Sequence, residues 1–252
     1  MRDSAKNPVE ISANPAALAQ QVAAALVAVV SEQLAQGRTP RVCLTGGRIA
    51  EQLYQVIARS PSASELAWDR VEWWWGDERF VPSGSEQRNE AMARRSLLDK
   101  IQITPGRVHP MPASDNSSTT LQDAADSYTS LLTGQAPEGF DIVLLSLGPD
   151  GHIASLFPGS TSLSANQTGA IAIRSAPKPP PERITLTLEA LAHTKHLWIM
   201  ASGREKASAV NAAMLAQATD LPTVSLSQLK ELVWYLDQDA ASQLVEKTGR
   251  QT

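Results

Sequence analysis

Residues 42–49, Val-Cys-Leu-Thr-Gly-Gly-Arg-Ile, pass from an apolar triplet through a double glycine into a run with apolar residues at Ile49, Leu53, Val56 and Ile57. An unbroken apolar triplet suits a strand covered on both faces, and apolar spacings of three and four suit one face of a helix. The unit is therefore strand, glycine turn, helix, and it recurs. Residues 71–75 are a strand candidate, followed by the polar stretch GDERFVPSGSEQ, read as a loop, and a helix over about 88–100. Residues 142–147 are another, followed by GPDGH. Ile171 and Ile173, then 197–200 with a helical run over 206–216, then 233–236, supply further strands and a helix. Strands alternating with helices predict an α/β chain of three layers, a mostly parallel sheet covered by helices on both faces.

Upstream, residues 14–36 read as a helix. Asn14 suits the cap and Pro15 the first turn, and Leu18, Val22, Leu26, Val29 and Val30 recur along it until Gly37 stops the run. Its most apolar stretch, 22–30, is nine residues long, whereas a membrane span needs roughly 20, so membrane insertion is not expected. The 252 residues are 42% hydrophobic and can bury a sizeable core. One domain over 1–252 is expected, with a core over about 14–240 and fraying in the first 8 and last 10 residues. Segments 110–120 and 175–181 are the clearest loops. No repeat points to a solenoid.

The formal charge of -4 offers no global basic field for nucleic acid. An anionic ligand would need a local cluster of Arg and Lys. A lone cysteine, Cys43, excludes an internal disulfide, and the opening MRDSAKNPVE lacks a signal-peptide pattern. A cytoplasmic setting is expected. No apolar heptad demands a partner, so a monomer is expected too.

In open α/β sheets ligands gather beyond the carboxyl ends of the strands. The polar, glycine-rich clusters 45–48, 76–79, 148–152 and 203–206 each follow a strand candidate, which predicts one shared mouth. Gly46 and Gly47 suit a helix N-terminus that faces an anion, and equally a tight turn that needs positive φ. The run Trp73-Trp74-Trp75-Gly76-Asp77-Glu78-Arg79 reads as a buried strand ending in a charged turn; Arg79 beside two carboxylates also suits a ligand with both phosphate and hydroxyls. His152 follows Asp150 by two residues. An extended backbone would put both side chains on one side, where Asp150 could orient the imidazole as a general base. A capping Asp beside an incidental histidine fits the same residues. His193 and His196 are spaced to share a helical face, but no further ligand stands near to complete a metal site. Ser155 lacks the G-x-S-x-G elbow of a serine hydrolase, and Cys43 reads as a packing residue.

Taken in order, LTGG (44–47), GDERFVP (76–82), LGPDGHIASLFPG (147–159), RITLT (183–187) and GREKA (203–207) resemble the 6-phosphogluconolactonase family over roughly 14–240. The resemblance implies a Rossmann-like fold and hydrolysis of 6-phospho-D-glucono-1,5-lactone to 6-phosphogluconate in the oxidative pentose phosphate route, with no cofactor and no metal. It implies His152 and Asp150 as catalytic residues. It implies substrate binding by Gly46, Gly47, Arg48, Asp77, Glu78, Arg79, Asn89, Gly148, Gly151, Arg183 and Lys206. The related glucosamine-6-phosphate deaminases look similar around the glycine turn, the DE pair and the DGH segment. They continue from DGHIA into Phe-Asn-Glu, where this chain has Ser155, Leu156 and Phe157, and they carry Tyr where it has Arg79. Three positions depart from the lactonase pattern: Arg48 where many members have Ser or Thr, Ser146 where a Gly is common, and Arg88 where Ser is common.

Overall fold

Six strands assemble side by side in one direction. The computed structural model describes residues 7–115, 119–164, 168–215 and 220–244. In chain order the elements are β1 (Val9–Ser12), α1 (Pro15–Ala35), β2 (Arg41–Leu44), α2 (Arg48–Arg59), α3 (Pro61–Ser64), β3 (Glu72–Trp75), β4 (Asp77–Arg79), α4 (Asn89–Ser96), α5 (Leu121–Gln135), β5 (Phe140–Ser146), β6 (Ala170–Ile173), β7 (Arg183–Leu186), α6 (Leu188–Ala192), β8 (Thr194–Ala201), α7 (Ala207–Met214), α8 (Pro222–Leu229) and β9 (Val233–Asp237). The main sheet runs β1-β9-β8-β5-β2-β3, and every neighbouring pair is parallel. Consecutive residues Phe140 to Leu145 of β5 are all buried. Successive strand residues point to opposite faces, so both faces of this strand are covered, as the α/β expectation requires.

The α1 boundaries follow the capping chemistry. Asn14 accepts a hydrogen bond from the backbone of Ala17 through its side chain, and Pro15 opens the helix. At 21 residues α1 reaches membrane-spanning length. Its stripe of Leu18, Val22, Leu26 and Val30 is nevertheless fully buried and packs against α2 and β9, as a core helix does.

A second, three-stranded antiparallel sheet, β4-β7-β6, departs from the expectation. The segment read as a loop after Trp75 instead begins with β4, and Gly76 joins the two sheets. Its N–H donates to Leu44 of the main sheet, while its carbonyl accepts from Leu186 of the small one. The helix expected over 88–100 ends at Ser96 and continues as a 3₁₀ turn over Leu98–Lys100. The run over 206–216 likewise opens as a 3₁₀ turn before α7. Helix α5 was not read as one, although Thr120 and Asp123 form a capping box at its start. His193 closes α6 and His196 lies in β8, so the two share no helical face. Most of the residues expected to fray, 1–6 and 245–252, and part of the 110–120 loop lie outside the described residues.

Tyr128 of α5 ties the edge strand to its cover. Its hydroxyl accepts from Trp75 N–H at 3.1 Å and sits 3.2 Å from the carbonyl of His109, with 1% of the side chain exposed. Tyr128→Phe would leave that buried N–H unpaired. A loss of about 1–3 kcal/mol in urea unfolding is expected, with KM for substrate unchanged.

Candidate active site

The carboxyl ends of β2, β3 and β5 deliver Thr45 to Gly47, Gly76 to Arg79 and Leu147 to His152 to one mouth. There a cavity of about 150 Å³ is lined by Thr45, Gly46, Gly47, Asp77, Arg79, Asn89, Ser146, Leu147, Gly148, Pro149, His152, Ala154, Arg183 and Lys206. A second hollow of about 240 Å³ adjoins it, sharing Gly47, Ser146 and Lys206.

His152 and Asp150 meet, but not through an extended backbone. The chain turns tightly there, with Gly151 N–H donating to Gly148 and Gly148 N–H donating to His152, and Gly151 at a φ of 87°. Nδ1 of His152 stands 2.5 Å from Oδ1 of Asp150. That engagement assigns the proton to Nδ1 and leaves Nε2 as the basic nitrogen. The imidazole rests on the ring of Phe157, centroids 4.8 Å apart. Burial pushes the imidazole below its ordinary range, against the hydrogen bond and charge of Asp150, while Lys178 pushes the same way as burial. Burial pushes the Asp150 carboxyl up, yet His152 and Lys178 together hold it below the usual carboxylate range. At neutral pH the pair is therefore a neutral imidazole beside an ionised carboxylate.

Gly148 is what admits the ring. A Cβ there would fall well inside contact distance of Cε1 and Nδ1 of His152 and of the Asp150 carboxylate. Ala154, beside it in the wall, is held at a φ of 49°, a conformation that is strained for a residue with a side chain.

The cationic wall comes from the small sheet. Register sets Arg79 directly opposite Arg183, an arrangement of like charges that normally destabilises a strand pair. Arg183 is 5% exposed, and burial pushes its guanidinium down despite Asp77 nearby. Its Nε and Nη2 donate to the carbonyls of Pro180, Lys178 and Pro179. Arg79 donates to the carbonyl of Gln87 at 2.6 Å and keeps a buried Nε without a partner among the described residues. Lys206 donates to the carbonyl of Leu147, and burial pushes its ammonium down. On the remaining side α2 starts at Gly47, which holds a φ of 103° without a side-chain cap. Its first N–H groups therefore face the mouth with no side chain to satisfy them.

Three of the expected binding residues lie off this wall. Glu78 is fully buried and accepts hydrogen bonds from the backbone of Arg79, Asn89 and Glu90. It caps α4 and lies 3.7 Å from Arg88. Burial pushes its carboxyl up to about 7, against Arg88 and those backbone bonds. Arg88 is therefore the buried counter-ion of this cap, which accounts for an arginine where the resemblance leads one to look for serine. Arg48 is turned outward to Glu205 at 2.7 Å and lines only the adjoining hollow. Gly151 packs toward Leu221 instead of the cavity. Asp77 and Asn89 do line it, and they hold each other: Asn89 Nδ2 donates to the Asp77 carbonyl and carboxylate, and Ser155 Oγ donates to Asp77 Oδ2 at 2.7 Å.

Sequence reasoning overlooked Lys178, whose Nζ lies 3.1 Å from Asp150. A single lysine inside a proline run was its only signal. Thr45, which also lines the cavity, lies in the 45–48 cluster but was not singled out from it.

Against known proteins, the family model described as glucosamine-6-phosphate isomerases/6-phosphogluconolactonase matches residues 13–234. A 6-phosphogluconolactonase of Mycobacterium leprae is 38% identical over 243 residues, covering 94% of this chain and 98% of that protein. Among solved structures, the 6-phosphogluconolactonase from Trypanosoma cruzi superposes with a TM-score of 0.83 at 25% identity, covering 96% of this chain and 98% of that one. A monomeric glucosamine-6-phosphate deaminase superposes at 0.79 with 20% identity, covering 94% and 99%. At that identity the second likeness speaks for the fold alone.

If Gly148 exists to admit the imidazole, Gly148→Ala should lower kcat by about 100-fold, as expected for a misplaced catalytic group. KM should change much less, and a steady-state comparison of the folded variant with the parent reads both.

Proposed function

The chain belongs to the glucosamine-6-phosphate isomerase/6-phosphogluconolactonase family and is a 6-phosphogluconolactonase, and we propose that it works through His152 as the base that activates water. The observation that carries this reading is the His152–Asp150 pair at the edge of a cavity that also holds Arg79, Arg183 and Lys206. A substrate with an electrophilic carbon and an anionic group suits such a site.

In this reading the phosphate of 6-phospho-D-glucono-1,5-lactone is held by the N–H groups of Gly46 and Gly47 at the start of α2, by Arg79 and by Lys206, with Arg183 beside them. Water attacks C1 as Nε2 of His152 takes its proton. The tetrahedral intermediate collapses with cleavage of the bond between C1 and the ring oxygen, and the imidazolium returns its proton to that departing oxygen. One proton is taken and one returned, so His152 ends as it began. Asp150 keeps the ring in the required tautomer. Asp77 and Asn89, already locked together, present oxygen and nitrogen acceptors and donors to sugar hydroxyls. No step draws on a metal or an organic cofactor.

Phe157 favours the lactonase reading over deamination. The position where the deaminases carry an acidic residue here holds an aromatic ring against the base, and a carboxylate for ring opening is lacking at that position. Both sheets feed one continuous apolar core, which supports a single domain. Burial pushes the Cys43 thiol up, which keeps the lone cysteine a packing residue.

His152→Ala should cut turnover by about 100-fold or more, measured as acid release from fresh lactone above the spontaneous blank. A parent-like rate from the folded variant would contradict the assignment. Lys206→Ala should act mainly on KM for the phosphorylated lactone, and an unchanged KM would remove Lys206 from the phosphate site.

A further inference from the structure

Lys178 stands in the 175–181 loop, and Arg183 fixes the backbone that carries it. Arg183 Nη2 donates to the carbonyl of Lys178 at 3.0 Å, and Nε donates to that of Pro180 at 3.1 Å. From this anchored position the Lys178 ammonium reaches Oδ1 of Asp150 at 3.1 Å. The same oxygen receives Nδ1 of His152 at 2.5 Å. One carboxylate oxygen is thus shared by an ammonium and the catalytic imidazole. Only part of the side chain is tied up: Lys178 is 42% exposed and Asp150 37%.

A carboxylate beside an imidazole does two things that conflict. It fixes the tautomer, which helps a base, and it attracts a second proton to the ring, which turns the base into an imidazolium. An ammonium on the same oxygen cancels much of the second effect and leaves the first intact. We infer that Lys178 is a positioning residue for the reaction: by sharing Oδ1 of Asp150 with His152, it lets the carboxylate orient the imidazole while keeping the imidazole neutral and able to accept a proton from water. The other charged groups that bear on His152 are few. Asp77 acts on it across the cavity in the same sense as Asp150, while Arg79, Arg183 and Lys206 share the cavity wall. Phe157 covers one face of the ring. Lys178 is the cation that touches the dyad itself.

The inference rests on His152 being the base, and the test separates the two. The His152 imidazole is titrated by NMR in the parent, in Lys178→Met and in Lys178→Arg, its resonance identified by its loss in His152→Ala. The acid limb of kcat/KM is measured alongside. The active form is the neutral ring, so activity falls as pH drops through the imidazole's pKa. Removing the ammonium raises that pKa, and the limb must move to higher pH. Lys178→Met should shift both the resonance midpoint and the kinetic limb upward by about half a unit or more, and Lys178→Arg should restore both toward the parent. A Lys178→Met midpoint that stays at the parent value, with the parent's kinetic limb matching its imidazole, would overturn this inference and leave His152 as the base. A kinetic limb that does not follow the imidazole in any variant would overturn the assignment of His152, and this inference with it.

Discussion

The imidazole of His152 lies against the backbone of Gly148 at a separation that no side chain at 148 would permit. This close approach fixes where the ring can be. It follows from a turn in which Gly148 N–H donates to the carbonyl of His152, at the carboxyl end of a strand buried on both faces. The ring then has Asp150 on Nδ1 and Phe157 below it, so Nε2 is the position left for chemistry. The cavity, the orienting carboxylate and the loop bearing Lys178 are all arranged around that placement.

The second structural device is the change of sheet at Gly76. Leu44 and Leu186 each pair with this one residue, so the chain leaves the main sheet and enters the small one within a single step. The consequence is chemical. Arg79 and Arg183 are set opposite each other at the edge of the mouth, each partly satisfied by backbone carbonyls. Two opposed guanidiniums are costly in a bare sheet and become useful when an anion lies between them. The buried Glu78–Arg88 pair works behind this wall, capping α4 and so holding Asn89 where it meets Asp77. Glu78 belongs to the frame of the site and not to its surface.

Much of this was legible in the chain. The apolar triplet before Gly46 and Gly47 and the runs before Gly76 and Gly148 marked strands whose carboxyl ends converge, and His152 with Asp150 could be singled out from two positions. Other elements were hidden for identifiable reasons. Strand β4 consists of Asp77, Glu78 and Arg79, whose polarity reads as a loop because its pairing is with β7, more than a hundred residues away. Helix α5 buries Ala124 and Ala125 beside Leu121, Tyr128 and Leu132, and small residues blur an apolar stripe. Gly151 carries the family motif without lining the cavity, since a motif preserves the turn as well as the contact, while Arg48, a departure from that motif, turns outward to Glu205. Lys178 escaped because its role depends on a loop folding back to Asp150, a contact no local spacing encodes.

In the proposed mechanism Nδ1 of His152 carries the proton and Nε2 is the base. Two-bond ¹⁵N–¹H correlation of the His152 ring at neutral pH, in the folded full-length chain, reads the tautomer directly. A neutral imidazole protonated at Nδ1 is expected, with Nε2 showing the shift of an unprotonated nitrogen. A ring protonated at Nε2, or at both nitrogens, would contradict it.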